Sequence, residues 1–176
     1  MKQYCYKYPR PEVTADCVVW GWQNGEVYVL LVKRGNEPFC GCWALPGGFM
    51  EMTESAGACA VRELREETGL EVACVRQVGA FSAPGRDPRG RVVTVAFYAF
   101  ADMRQALIRA GDDAAEAGWF SLNGLPSLAF DHGEIIQAAC GRVKADWPTE
   151  QKALQEMAAI WPEKAIGEWL DTDKKK

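Results

Sequence analysis

The chain has 176 residues, 48% hydrophobic and 25% charged, a globular composition long enough for one domain with a sizeable core. Twenty Lys and Arg against 24 Asp and Glu leave a net charge of -4, which excludes a global basic field able to hold long nucleic acid by counterion release. A nucleotide-sized anion is not excluded, because a few local arginines can hold one or two phosphates.

The first residues lack the apolar stretch of a signal peptide, and nowhere do eighteen apolar residues run together. A soluble, cytoplasmic chain with no membrane partner is expected. Seven cysteines, at 5, 17, 40, 42, 59, 74 and 140, form no CxxC pair, and His132 is the only histidine. Reduced thiols fit this scatter better than a zinc site.

Residues 14–22 (TADCVVWGW) and 26–34 (EVYVLLVKR) are rich in β-branched and aromatic residues, and the Asn24-Gly25 turn between them predicts a hairpin. Residues 36–53 read as loop and lead into a helical stretch at 54–68 that stops at Gly69. Strand patterns follow at 70–81 and 91–101, separated by the turn-forming SAPGRDPRG, with a short strand expected at 118–122. From Phe130 onward two helices are predicted, the second beginning at Pro148. Residues 1–140 thus read as the domain. Residues 141–176 read as a helical extension whose Trp147, Leu154, Met157, Trp161 and Trp169 face the domain or a partner subunit, so a homodimer is expected. The terminal DTDKKK reads as a frayed tail.

Within the first helix, Ala56, Gly57, Ala60, Val61 and Leu64 fall on one stripe that would pack on the sheet. Glu63, Glu66 and Glu67 recur at i, i+3 and i+4 on an adjoining face. Such a cluster is unfavourable alone: each like-charge pair costs roughly 0.2 to 0.5 kcal/mol, and two of the three carboxylates sit at the negative end of the helix dipole. Arg62 can reach Glu66, yet one guanidinium cannot neutralise three carboxylates, whereas hard divalent cations prefer such oxygen ligands. Mg²⁺ is the natural candidate, with Mn²⁺ as the alternative. A solvated acidic helix end is the plainer account of any short Glu run. Here Gly47 and Gly48 bring bare backbone close by, and Glu51 and Glu54 add carboxylates at the helix start, which favours the cation.

Gly48, Glu54 and the run Arg62-Glu63-Leu64-Arg65-Glu66-Glu67-Thr68-Gly69-Leu70 resemble the complete Nudix box, GX5EX7REUXEEXGU with U aliphatic, over residues 48–70. The resemblance implies an α/β fold, a mixed-sheet α/β/α sandwich, and a hydrolase that cleaves nucleoside diphosphates linked to another moiety. It also implies Mg²⁺ held by Glu63, Glu66, Glu67 and the carbonyl of Gly48, with Arg62 orienting a helix carboxylate, in particular Glu66. Thr53 replaces a glycine common in relatives and is read as the helix N-cap. The flanking segments, over residues 14 to 140, resemble the ADP-ribose pyrophosphatase branch, which implies a small nucleotide-type substrate: ADP-ribose, cut to AMP and ribose 5-phosphate. A cleaner of damaged nucleoside triphosphates and an ADP-ribose-sensing transcription regulator are the alternatives. The shortness of the C-terminal segment speaks against a DNA-binding winged helix, and no nucleic-acid partner is expected.

In the RDPRG loop, Arg86 and Arg89 offer forked donors to phosphate or ribose oxygens. An exposed hairpin with an Arg-Asp pair reads the same loop equally well, and the resemblance tips the balance to substrate contact. Arg34 is a weaker phosphate candidate. Glu116 matches the position from which relatives supply another metal ligand or a base, with Asp112 and Asp113 as rivals. Phe81, Trp119 and Phe120 can stack on adenine, although aromatics at strand spacing more often fill a core. His132 reads as a cap or pin of the last helix.

Overall fold

The computed structural model describes residues 5–104, 114–159, 161, 162 and 164–172. The long strands β1 (Glu12–Gln23) and β2 (Glu26–Arg34) form the expected antiparallel hairpin, with Asn24 at φ 52° and Gly25 at φ 84° in the turn. Both dihedrals are positive, which is the backbone state that the Asn-Gly pair takes at least cost. The short strands β3 (Trp43–Ala44) and β4 (Gly47–Phe49) lie inside the segment read as loop. Two or three paired residues are too few for any period to show in the sequence.

Helix α1 (Ala56–Thr68) is capped by Ser55, whose hydroxyl accepts from the amide of Ala58, so Thr53 is not the cap. It ends at Gly69, at φ 71°, whose amide bonds the carbonyl of Arg65. The stripe that α1 buries is Cys59, Ala60, Leu64 and Thr68; Val61 stays half-buried. Strand β5 (Arg76–Phe81) starts six residues later than the pattern at 70–81 suggests, and β6 (Val92–Phe100) follows. Strand β7 (Ala114–Ser121) is longer than expected, because pairing with β2 from Tyr28 to Arg34 carries it past the apolar run that marked it. Asp112 and Asp113 lie outside the described residues.

The path β3-β2-β1-β6-β5 forms the sheet, with β4 pairing β1 and β7 pairing β2. β1 runs parallel to β6, while β5 is antiparallel to β6, so the sheet is mixed. Alternation assigns the two faces. Ala15, Cys17, Val19, Phe97 and Ala99 pack under α1, whereas Val18, Trp20, Tyr98 and Phe100 pack under α2 (His132–Met157) and α3 (Ala165–Thr172). The result is an α/β/α sandwich. A central strand buried on both faces reads as a nearly continuous apolar run, and β1 does.

The described part of residues 141–176 joins this core. Leu154, Trp161, Ile166 and Trp169 are buried, the Trp161 Nε1 donates to the carbonyl of Ala101 at 3.0 Å, and Trp169 packs on Trp20. The span of α2 holds two helical stretches, as expected, but they meet at a kink at Glu150, where φ is -122°, so the second begins just past Glu150 rather than at Pro148. α3 has no counterpart among the predicted elements. Among the described residues no helix is long and apolar enough to cross a membrane.

Candidate active site

The box residues line a cleft of 520 Å³ between the α1 end of the sheet, the RDPRG loop and the start of α2. One wall is acidic. Gly47 and Gly48 are required there for close approach: a β-carbon on Gly48 would stand 2.5 and 2.6 Å from the two carboxylate oxygens of Glu63, and one on Gly47 would overlap Asp16. The amide of Gly47 donates to Glu67 Oε2 at 3.0 Å, which fixes that carboxylate against the strand.

Arg62 holds the remaining acids. Its Nε and Nη2 bond both oxygens of Glu54 at 3.1 and 2.6 Å, its Nη1 donates to Glu63 at 2.7 Å and to Glu66 at 3.0 Å, and Nη2 also reaches the carbonyl of Phe49. Those bonds hold the Glu54 carboxyl far down, at about 2. Glu63 and Glu67 behave oppositely. Burial pushes both up, Glu67 to about 8, with the charges of Glu63 and Asp16 adding to it and the Gly47 amide only partly opposing.

Two desolvated carboxylates beside a bare glycine backbone fit a hard cation, and a divalent ion would supply the charge that this wall lacks. Glu66 is more than half exposed and turned toward Arg62. Among the described residues no three His, Cys, Asp or Glu side chains stand together as a ready-made metal cage. Glu63, Glu67 and Gly48 are therefore the part of the expected set that lines the cleft, and the Gly48 carbonyl accepts from the Cys59 thiol at 3.7 Å.

The opposite wall is basic. Arg34, at the end of β2, donates to the carbonyls of Pro38 and Asn36, and its proton affinity is lowered by burial first and by Arg89 next. Arg89 is held by Asp87 through Nε and Nη2 and keeps 40% of its side chain exposed. Arg86 is placed differently from its loop neighbour. It also lines the cleft, but it is buried there and forks its Nε and Nη2 onto Asp131 at 2.9 and 2.7 Å, with Asp16 4.0 Å away. Asp131, at the N-terminal end of α2, accordingly makes no side-chain cap there.

Besides Glu66, two expected residues are not brought to the cleft. Glu116 stands on β7 with a mostly exposed carboxylate, paired to Lys33 at 3.4 Å, and only Lys33 lines the cleft. Phe81 packs against the core on the α2 side. Trp119 and Phe120 likewise join the two cores, Phe120 on Trp43. Asp16, Asp131 and Phe130 went unread in the sequence. Asp16 carried one usable signal, a lone acid inside an apolar strand, and Thr94 now bonds it at 2.6 Å.

His132 pins the helix to the cleft, since its Nδ1 accepts from the amide of Leu45 at 2.8 Å. His132→Ala leaves that buried donor unpaired beside a cavity, and a loss of about 2 to 4 kcal/mol is expected in chemical denaturation. His132→Asn, which keeps an acceptor, should recover part of it. Burial holds the imidazole below its ordinary 6.5. The unfolded chain therefore takes up this proton first, and stability is lost as pH falls below about 6.5. Because Glu67 moves stability the opposite way over this range, the readout is the difference: the advantage of the parent over His132→Asn in denaturation midpoint should shrink from pH 7.5 to 5.

The NUDIX domain profile matches residues 10–139. The chain is 45% identical over 130 residues to an ADP-ribose pyrophosphatase of Methanocaldococcus jannaschii, covering 74% of this chain and 73% of that one. It is 34% identical over 140 residues to the ADPR responsive transcriptional repressor NtrR of Acinetobacter baylyi, covering 77% of this chain and 56% of the repressor. Among solved structures, a MutT/nudix family protein from Enterococcus faecalis superposes with a TM-score of 0.77 at 37% identity, over 87% of this chain and 70% of that chain. The NUDIX domain of Shewanella oneidensis NrtR, crystallised with ADP ribose, gives 0.71 at 31% identity, over 77% and 90%.

Proposed function

The chain belongs to the NUDIX family and is a Nudix pyrophosphohydrolase, and from that premise we propose that its substrate is ADP-ribose, cleaved to AMP and ribose 5-phosphate with Mg²⁺. The observation that carries the reading is the polarity of the cleft. Desolvated Glu63 and Glu67 form one wall and Arg34 and Arg89 the other, an arrangement suited to a diphosphate lying between cation and guanidinium. The 45% identical pyrophosphatase supports the choice of ADP-ribose.

Glu63, Glu67 and the Gly48 carbonyl, joined by Glu66, would hold the ion. When bound, a divalent cation offsets the charge of the diphosphate and lowers the pKa of an attacking water. The protein's own part is orientation. Arg62 ties Glu54, Glu63 and Glu66 to one guanidinium, the Gly47 amide fixes Glu67, and Arg34 and Arg89 meet the phosphoryl oxygens across the cleft. Arg86 acts behind them by tying the RDPRG loop to α2. Residues 1–140 form the catalytic domain in this reading, and residues 141–176 its supporting extension in a cytoplasmic homodimer.

The test is a panel of ADP-ribose, nucleotide sugars and nucleoside triphosphates with Mg²⁺. ADP-ribose should give the highest kcat/KM, with AMP and ribose 5-phosphate as products. Faster turnover of a damaged triphosphate would assign the protein to pool cleaning instead. No turnover, together with a specific gel shift on DNA, would assign it to the repressor reading that the Acinetobacter relative represents. Light scattering that returns one protomer's mass at all concentrations would remove the dimer.

A further inference from the structure

At the mouth of the cleft one aromatic ring receives two guanidinium groups. The guanidinium carbon of Arg34 lies 4.8 Å from the centre of the Phe130 ring, and that of Arg89 lies 5.5 Å from the same centre. The two arms reach it from distant parts of the chain, one from the end of β2 and one from the loop before β6. Two like charges gathered on one ring repel each other, and the negative face of the ring is what offsets that cost. Their remaining partners are unequal. Asp87 and the Phe49 ring, 5.2 Å away, also hold Arg89, whereas the hydrogen bonds of Arg34 run to backbone carbonyls, which orient a guanidinium without neutralising it. The pair therefore keeps net positive charge facing the cleft.

Phe130 occupies this position at a conformational cost. Its φ is 51°, in the left-handed region that glycine or asparagine takes far more readily. The surroundings hold it there: Phe39, itself at φ 65°, packs edge-on against the ring at 4.8 Å. On either side, the amide of Ala129 bonds the carbonyl of Trp43 and His132 is tied to Leu45. Backbone preference does not account for a phenylalanine here, and the contacts of its ring do.

We infer that Phe130 is a positioning residue for the diphosphate. It holds Arg34 and Arg89 side by side, so that each arm meets one phosphoryl group, and it acts through them without touching the reacting atoms. The inference rests on the reading of these two arginines as the anion-holding wall. Arms already immobilised lose little further side-chain freedom when the anion arrives, which is how a ring behind them strengthens binding.

Inorganic pyrophosphate, the part shared by every diphosphate substrate, is the probe. Its binding to the full chain is measured by calorimetry with divalent metal chelated, alongside KM and kcat for ADP-ribose. Phe130→Gly suits the backbone and removes the ring; it should weaken pyrophosphate about tenfold and raise KM similarly. kcat should change by less than about threefold. Inorganic phosphate, which can engage one arm at a time, should lose less. Phe130→Tyr should behave as the parent. Should the glycine variant fold poorly, Phe130→Leu, with apolar bulk and no π face, should show the same loss. The inference is overturned if the Gly and Leu variants bind pyrophosphate as the parent does, if Tyr fails to restore binding, or if the parent itself does not bind pyrophosphate. A parent that binds pyrophosphate but leaves ADP-ribose intact sinks the substrate assignment alone.

Discussion

Glu67→Gln is expected to slow hydrolysis of the best substrate about 10³-fold, about 4 kcal/mol of transition-state stabilisation, while the metal-free protein becomes more stable above neutral pH. The two effects share one cause. The carboxylate is desolvated beside Glu63 and Asp16, so its charge is unfavourable in the folded chain until a cation arrives. Glutamine keeps an acceptor for the Gly47 amide, which now donates at 3.0 Å, and removes the charge. The sign follows from linkage. The folded group holds its proton up to about 8, against 4.5 for an ordinary glutamate, so the native state binds more protons than the unfolded state in between. The penalty is absent below pH 4.5, grows as pH rises to about 8, and is constant beyond. Melting curves with metal chelated should therefore coincide near pH 4.5 and separate by pH 8, by an amount on the order of 1 to 3 kcal/mol. Saturating Mg²⁺ should close the gap. Activity within tenfold of the parent would defeat this account of the acidic wall.

Arg62→Lys is the second large effect, a loss of about 10- to 100-fold in activity together with a higher metal requirement. A guanidinium places donors on three carboxylates at once, taking Glu54 in a fork through Nε and Nη2 while Nη1 lies between Glu63 and Glu66. An ammonium is a point charge and cannot reproduce that fork. Without it, Glu63 and Glu66 regain rotamer freedom and repel one another, and the site must be ordered by the cation itself. Half-maximal activity should then require more Mg²⁺ in the lysine variant, and Arg62→Ala should lie further along the same line. An unchanged metal titration in Arg62→Lys would remove Arg62 from its organising role.

How far the site could be read in advance depended on distance along the chain. Gly48, Glu54, Arg62, Glu63, Glu66 and Glu67 fall within twenty residues, and helical periodicity alone places the last four beside one another. The hairpin, α1 and β6 were legible for the same local reason, a period of two or of 3.6 punctuated by Asn-Gly or Gly. β3, β4 and α3 were not, because they are short and their pairing or packing partners lie elsewhere.

The amino-acid order by itself thus determined the acidic helix, its glycine neighbours and the need for positive charge beside them, since these follow from spacing within one turn or two. Only the tertiary structure decided what faces the cleft. It fixed Arg86 on Asp131, 45 residues away, left Glu116 off the cleft that its partner Lys33 lines, and set Phe130 against two arginines. No local pattern encodes such choices. They emerge when loop closure brings distant segments together and burial makes each charge find its partner.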